Sequence, residues 1–378
     1  MGEEWQTSRP SLILNQNKMK ATKIIFALGA LITANTFTSC SDDDENIVST
    51  INNANTYSFY NGTTTSETFA KGADVSWLTQ MENEGIKFYS TDGTETECIT
   101  LLKSYDINAI RLRVWVNPAD GYCNKEDLII KARRASQAGM RIMIDFHYSD
   151  TWADPSAQSK PAAWTDYSFD ELIQAVADHT TDVLTSLKNI NVTPEWVQIG
   201  NEVGDGMLWG DGRASTNSTQ FAKLVTSGIN AAKTVFPEIK TVIHVQNGWN
   251  YNTTSWMMNV LKTNNVDYDI MGVSLYPENT DAAAIGTPTE IVAQTIDNIK
   301  ALAIQYNKDM MVCEFGYSVN NPDKGYECLN KLITEATQSG VCTGVFYWEP
   351  ESYNWNGYDK GAFGADYKPL HTLDAFKN

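Results

Sequence analysis

The sequence predicts an α/β fold, a (β/α)₈ barrel built as one catalytic domain. Three observations predict it. Eight short apolar or β-branched runs recur along the chain, and segments of helical period separate most of them. No GxGxxG or P-loop follows the first run, which removes the main support for a doubly wound sheet. Eight alternating repeats over about 310 residues fit a single barrel.

Taken in order, the strand candidates begin with "FAKGADVSW" from Phe69, "AIRLRVWV" from Ala109, "RIMIDFHY" from Arg141 and "EWVQIGNE" from Glu195. "KTVIHVQNG" from Lys240, "YDIMGVSLYP" from Tyr268, "DMMVCEFGYS" from Asp309 and "GVFYWEP" from Gly344 complete them. Each ends in polar or aromatic residues. Of the helical segments, "NKEDLIIKARRASQAG" ends in Gly139, a C-cap residue, and "SFDELIQAVADHTTDVLTSLKNI" opens with a capping box, Ser168 and Glu171. "NSTQFAKLVTSGINAAKTVF" and "PTEIVAQTIDNIKALAIQYN" have the same period.

In such a barrel the C-terminal strand ends carry the chemistry. The fourth run is buried in character yet ends in Asn201 and Glu202, and the seventh ends in Glu314. Strands four and seven lie almost opposite one another, so these two carboxyls face each other across the mouth. Retaining glycoside hydrolysis needs such a pair, about 5–5.5 Å apart: one protonates the leaving oxygen while the other attacks the anomeric carbon. Arg111 and Arg113 share one parity on the second strand and point inward, where a guanidinium needs a carboxylate. One reading pairs Arg111 with Glu314, keeping that nucleophile at a low pKa while Glu202 stays protonated. The other pairs the arginines with Asp74 or Asp145 to fill the barrel. His147, Tyr276 and Trp348 close strands three, six and eight, and the flat rings of Trp348, Trp115, Trp152, Trp209 and Trp249 suit the apolar faces of sugars.

The residues ahead of the barrel read differently. Lys20 and Lys23 precede "IIFALGALI", a basic segment and an apolar run too short to span a bilayer, as in a secretory signal. Cys40 stands where bacterial lipoproteins are cleaved and lipidated. Residues 1–39 are therefore expected to be removed, with 1–18 not translated in the cell, and 40–67 to form a flexible tether to a domain spanning 68–378. Asp42, Asp43, Asp44 and Glu45 resemble an export tag of surface-displayed lipoproteins and equally suit a solvated linker. The expected location is the outer membrane, facing outward, with a lipid anchor as the only membrane contact and a monomeric enzyme. A formal charge of −18 argues against nucleic acid, whose phosphates demand Lys and Arg. Cys98, Cys123, Cys313, Cys328 and Cys342 follow Cys40 without metal-ligand spacing; being odd in number, they leave at least one thiol free.

"IRLRVWVNPADG", "IDFHYSDTWADP", "WVQIGNE", "MGVSLYP", "CEFGYS" and "GVFYWEP" together resemble glycoside hydrolase family 53, the arabinogalactan endo-β-1,4-galactanases. The resemblance runs from about Phe69 to the C-terminus. It implies a (β/α)₈ barrel, a β-1,4-galactan substrate and no required cofactor. It also implies Glu202 as acid/base, Glu314 as nucleophile, Asn201 on the sugar 2-hydroxyl, and Tyr276 and Arg111 holding the nucleophile. Two departures stand out. Glu314 is followed by Phe315 where many relatives have Thr, and the stretches after strands seven and eight lack the Asp/Gly-rich calcium loop of several bacterial relatives. A structural calcium is therefore not expected, and the distal subsites and product lengths are expected to differ. The residues alone leave two alternatives: another retaining β-glycanase, such as a mannanase or xylanase, or a non-catalytic glycan-binding lipoprotein.

Overall fold

The computed structural model describes residues 69–377. The signal, lipidation and tether readings, Cys40 included, lie outside the described residues. The eight expected strands all form: β1 (Ala70–Asp74), β2 (Ala109–Val114), β3 (Arg141–Phe146), β4 (Trp196–Ile199), β5 (Lys240–Val245), β6 (Ile270–Leu275), β7 (Asp309–Phe315) and β8 (Cys342–Trp348). They pair in sequence order, all parallel, and β8 closes on β1 to make a barrel. The chain is thus a (β/α)₈ barrel.

Between the strands run α1 (Leu78–Asn83), α2 (Cys98–Lys103), α3 (Lys125–Gln137), α4 (Phe169–Asn189), α5 (Ala214–Val235), α6 (Tyr251–Thr263), α7 (Thr280–Ala283), α8 (Pro288–Tyr306) and α9 (Pro322–Ser339). Gly139 follows α3 at φ +71°, a left-handed position that suits glycine. Ser168 and Glu171 form the expected capping box of α4, and Thr287 with Glu290 forms another on α8. The third expected helix starts three residues early, at Ala214, because a short turn precedes a break at Asn217 (φ −149°). The periodicity of α6 is blurred by its polar start, "YNTTS", where the Asn250 side chain accepts the N–H groups of Asn252 and Thr253.

Alternation divides each strand between two cores. Outward side chains pack against the helices. Inward ones at the barrel base, among them Met143, Trp196, Ile270, Met311 and Phe346, make a separate apolar plug, each large side chain contributing roughly 1.5–3 kcal/mol by its burial. Gly72 is required here: a Cβ on it would lie 2.1 Å from the Phe346 ring. Above the plug the inward positions turn polar, with Asp74, Arg111, Asp145, Gln198, His244 and Ser274 all buried. The plug excludes water from below, so this layer opens only toward the strand ends. All five cysteines after Cys40 are buried free thiols.

Candidate active site

Strict alternation would not bring Glu314 into the barrel. Met311 and Cys313 belong to the inner plug and Phe315 to the outer core, so Glu314 should point outward. The register against β6 slips between Val273 and Ser274, pairing Val273 with Val312 but Ser274 with Glu314. That irregularity turns two successive residues of β7 inward and delivers the carboxylate to the mouth.

β4 delivers its carboxylate by a different device. The strand stops at Ile199, Gly200 turns at φ +83°, and Glu202 is held at φ +45°. A non-glycine residue there costs on the order of 1–3 kcal/mol and persists only where its surroundings impose it. The Val203 N–H donates to the His244 carbonyl at 2.8 Å, and Gly206 sits so close to the Gly212 carbonyl that a Cβ would lie 2.0 Å away. The glycine string after Asn201-Glu202 thus lets the loop fold tightly over the strand end.

Asn201, Glu202 and Glu314 line one cavity of about 520 Å³ together with His147, Trp152, Tyr276 and Trp348. A second groove of about 580 Å³, on the barrel exterior between α4 and α5, is lined mostly by Thr, Ser, Ala and Asn and holds no pair of carboxylates.

The two glutamates are held unequally. Arg111 Nη2 lies 3.0 Å from Glu314 Oε1, and the Tyr276 hydroxyl donates to Oε2 at 2.8 Å. Glu202 Oε1 accepts the Ser274 hydroxyl at 2.6 Å. Ser274 lies on β6 and Tyr276 directly follows that strand, so a single strand end supplies a hydroxyl to each carboxylate. Burial, then the charge of Glu314, raises the Glu202 carboxyl to about 8. Burial also raises Glu314, to about 7, against the pull of Arg111. The expected low pKa of Glu314 is therefore corrected. Desolvation of a side chain only 8% exposed exceeds the guanidinium's effect, because Arg111 is shared. What distinguishes the two is their partners: Glu314 is held by a guanidinium and a phenol, Glu202 by the Ser274 hydroxyl alone.

Arg111 is shared three ways. Its Nη1 pairs with Asp74 at 2.7 Å, and its Nη2 with Asp145 at 2.9 Å as well as with Glu314. Both readings of this arginine hold at once. Burial works against the Asp145 charge, but Arg111 and His147 outweigh it and keep that carboxyl below its ordinary range. Nδ1 of His147 accepts N–H groups from Trp115 (3.3 Å) and Ala153 (3.1 Å), so the ring proton sits on Nε2 and is donated to Asp145 at 3.0 Å. Burial lowers the His147 pKa and keeps the ring neutral. Arg113 pairs with neither expected aspartate but with Glu349 at 3.3 Å, and stacks against Trp152 (4.3 Å) and Trp115 (4.8 Å).

Several expected sugar contacts are placed elsewhere. Asp74, Arg111 and Arg113 are essentially fully buried and act through the groups they hold. Trp115 borders an adjoining hollow of about 360 Å³ rather than the main cavity. Trp209 turns away, its indole N–H donating to the Asp205 carbonyl and its ring lying 4.5 Å from Arg213. Trp249 is partly buried with its ring packed against the outer core. Neither lines the cavity, because strand parity says nothing of where a loop turns next. The sequence reading missed Trp77, Asp154, Asn279, Asn356, Tyr358 and Lys360 in the cavity wall. Trp77 ends the quoted first run, so the strand-end rule could have found it; Asn356, Tyr358 and Lys360 reach the site only through the fold-back of the chain after β8. Among the described residues, no group of three or more His, Cys, Asp or Glu is arranged to hold a metal ion.

The model of glycosyl hydrolase family 53 matches residues 70–368. The chain belongs to that family. This family 53 chain is 35% identical over 303 residues to the arabinogalactan endo-β-1,4-galactanase of Thermothelomyces thermophilus, covering 74% of this chain and 89% of that protein. It is 33% identical over 307 residues to arabinogalactan endo-β-1,4-galactanase A of Aspergillus niger, covering 74% and 84%. A solved fungal β-1,4-galactanase superimposes with a TM-score of 0.74 at 31% identity, over 82% of this chain and 99% of that one. The family 53 catalytic domain of Ignisphaera aggregans gives 0.73 at 30% identity, over 82% and 96%.

Proposed function

We propose that this family 53 enzyme is an endo-β-1,4-galactanase that cuts galactan with net retention, Glu314 acting as nucleophile and Glu202 as acid/base. The observation that carries the assignment is the unequal holding of the two glutamates. Glu314 is gripped on both oxygens by Arg111 and Tyr276, which favour its ionised form and aim it. Glu202 keeps one oxygen without a partner among the described residues and has a raised pKa, as an acid needs. In the first step Glu314 attacks the anomeric carbon as Glu202 protonates the departing sugar oxygen. In the second, Glu202 takes a proton from water, whose oxygen displaces Glu314. The four rings of Trp77, Trp152, Trp348 and Tyr358, packed edge to face, offer apolar walls to galactosyl units. The reaction consumes no chemical cofactor.

The test is NMR of the first product formed from linear galactan: a β-configured new reducing end is expected, and an α-configured one excludes the double displacement. Mannan and xylan assayed in parallel should stay uncut. We further propose that Cys40 anchors the enzyme to the outer membrane. Labelled fatty acid should enter the wild type and not Cys40→Ala, and equal labelling of both would remove the anchor.

A further inference from the structure

A chain of buried polar groups leads away from Glu202 on the side opposite the cavity. Glu202 Oε1 lies 2.6 Å from Ser274 Oγ, and Ser274 Oγ lies 2.9 Å from Nε2 of His244. Ser274 is 1% exposed and His244 is fully buried. Burial, reinforced by the nearby Arg111 charge, holds His244 well below its ordinary pKa, so the ring is neutral and carries one N–H.

Where that hydrogen sits is set by the other ring nitrogen. Nδ1 lies 3.4 Å from the main-chain N–H of Glu202, which can only donate, and 3.0 Å from Asn201 Oδ1; the Gln198 amide nitrogen, 3.2 Å away, has Asp145, Gly200 and Asn201 as nearer acceptors for its two hydrogens. Receiving the Glu202 main-chain N–H, Nδ1 accepts, and the hydrogen is on Nε2. His244 then donates to Ser274, which leaves the Ser274 hydroxyl to donate to Glu202 Oε1. An oxygen that receives a fixed donor is a poor place for the carboxyl proton.

We infer that Ser274 and His244 are positioning residues that assign the catalytic proton of Glu202 to Oε2, the oxygen they leave free. The inference rests on Glu202 being the acid/base. During cleavage the proton passes from Oε2 to the glycosidic oxygen as the C1–O bond breaks and the Glu314–C1 bond forms. During hydrolysis Oε2 recovers a proton from water as the water oxygen replaces Glu314 on C1. Ser274 and His244 exchange no proton in either step; their hydrogen bond to Oε1 persists and becomes charge-assisted when Glu202 is ionised. The reversed polarity is the competitor. Nδ1–H would donate to Asn201 Oδ1, 3.0 Å away, Ser274 would donate to Nε2, and Glu202 would have to place its proton on Oε1, away from the substrate. Asn201 Oδ1 already receives Arg111 Nη2 at 3.0 Å, whereas the Glu202 main-chain N–H has no acceptor but Nδ1 among the described residues.

Ser274→Ala is the main test, read on two substrates. Linear galactan needs a proton on its leaving group, whereas a 2,4-dinitrophenyl β-galactobioside does not. The kcat/KM of Ser274→Ala should fall about 10- to 100-fold on galactan, the value of one hydrogen bond to a charged group, and less than about 3-fold on the activated substrate. Because the Ser274 hydrogen bond lowers the Glu202 pKa, the alkaline limb of the pH profile should move upward. The other ionisable groups that act on Glu202 or His244, namely Glu314, Asp154, Arg111, Asp145 and His147, are unchanged in this variant. His244→Gln, which keeps an N–H near the Nε2 position, should retain more galactan activity than His244→Ala. In the wild type, ¹⁵N shifts of the His244 ring should show a protonated Nε2 and a bare Nδ1, a reading that does not depend on any variant folding. Equal losses on both substrates with an unmoved limb, or a protonated Nδ1, overturn the inference. Glu202→Gln is the separate arm: it should lose galactan cleavage and keep the first step on the activated substrate. If Glu202→Gln cuts galactan like the wild type, the acid role of Glu202 falls first and the inference falls with it.

Discussion

Tyr276→Phe removes one hydroxyl and leaves the ring in place, so it tests how Glu314 is kept ionised. Burial and the Glu314 charge hold the Tyr276 pKa well above its ordinary value, so the phenol is a permanent donor. Its 2.8 Å hydrogen bond to Glu314 Oε2 is of the kind worth about 1.5–3 kcal/mol when the acceptor is ionised. At about 1.4 kcal/mol per pH unit, its loss raises the Glu314 pKa by roughly 1–2 units. The sign follows from the roles: Glu314 must be deprotonated, so it sets the acid limb of kcat/KM, and Glu202 must be protonated, so it sets the alkaline limb. With both carboxyls raised by burial, to about 7 and about 8, the wild-type limbs are expected near those values. Moving the first to about 8–9 closes the window between them, and the correctly protonated fraction at about pH 7.5 drops roughly 3- to 20-fold. Arg111 remains in place, which bounds the loss. The assay is release of reducing ends from galactan across pH, with kcat/KM fitted to two limbs. An acid limb that stays where it was, whatever the loss of rate, refutes the account of how Glu314 is held.

Arg111→Lys should be far from conservative, since one ammonium replaces a fork that serves Asp74, Asp145 and Glu314. A loss of about 3 kcal/mol or more is expected in chemical denaturation, with activity falling in parallel, and an unchanged midpoint would contradict the shared-arginine picture. Behind β8, Glu349 and Glu351 are both fully buried; burial raises the first to about 7, and burial with the charge of Glu349 raises the second well above its usual range. With Glu202 and Glu314 also raised, the folded state binds more protons than the unfolded chain above the ordinary value of 4.5, so stability should fall as pH rises from there through about 7 to 8. Glu351→Gln should flatten that fall in thermal midpoints measured at several pH values, and an identical slope would count against the buried pair as its source.

The barrel was legible because its signals are local. A strand buried on one face and lining a barrel on the other shows its β-branched and apolar content, a helix shows its period and its capping box, and eight repeats leave little choice of closure. Glu202 was legible for a related reason: an apolar strand that ends in Asn-Glu and glycines has few structural uses for a carboxylate at that point. Asn201, His147, Tyr276 and Trp348 followed by the same strand-end rule and share its cavity.

Where local pattern ran out, contacts between distant segments decided. Glu314 sits at the end of the correct strand, yet period-two alternation points it at the helices; only the register slip opposite Ser274 turns it inward. Trp209 and Trp249 look like sugar platforms in the sequence, but the ring of one lies against Arg213 and the other packs on the outer core, while Tyr358 reaches the cavity from a segment with no strand signal. The low pKa expected for Glu314 failed because a sequence names a charged partner without saying how many carboxylates share it or how dry the site is. Composition and periodicity report on neighbours along the chain, and so they determined the architecture and the strand ends that face the mouth. Desolvation, register and the sharing of Arg111 depend on residues brought together across the barrel, and only the tertiary structure could decide them.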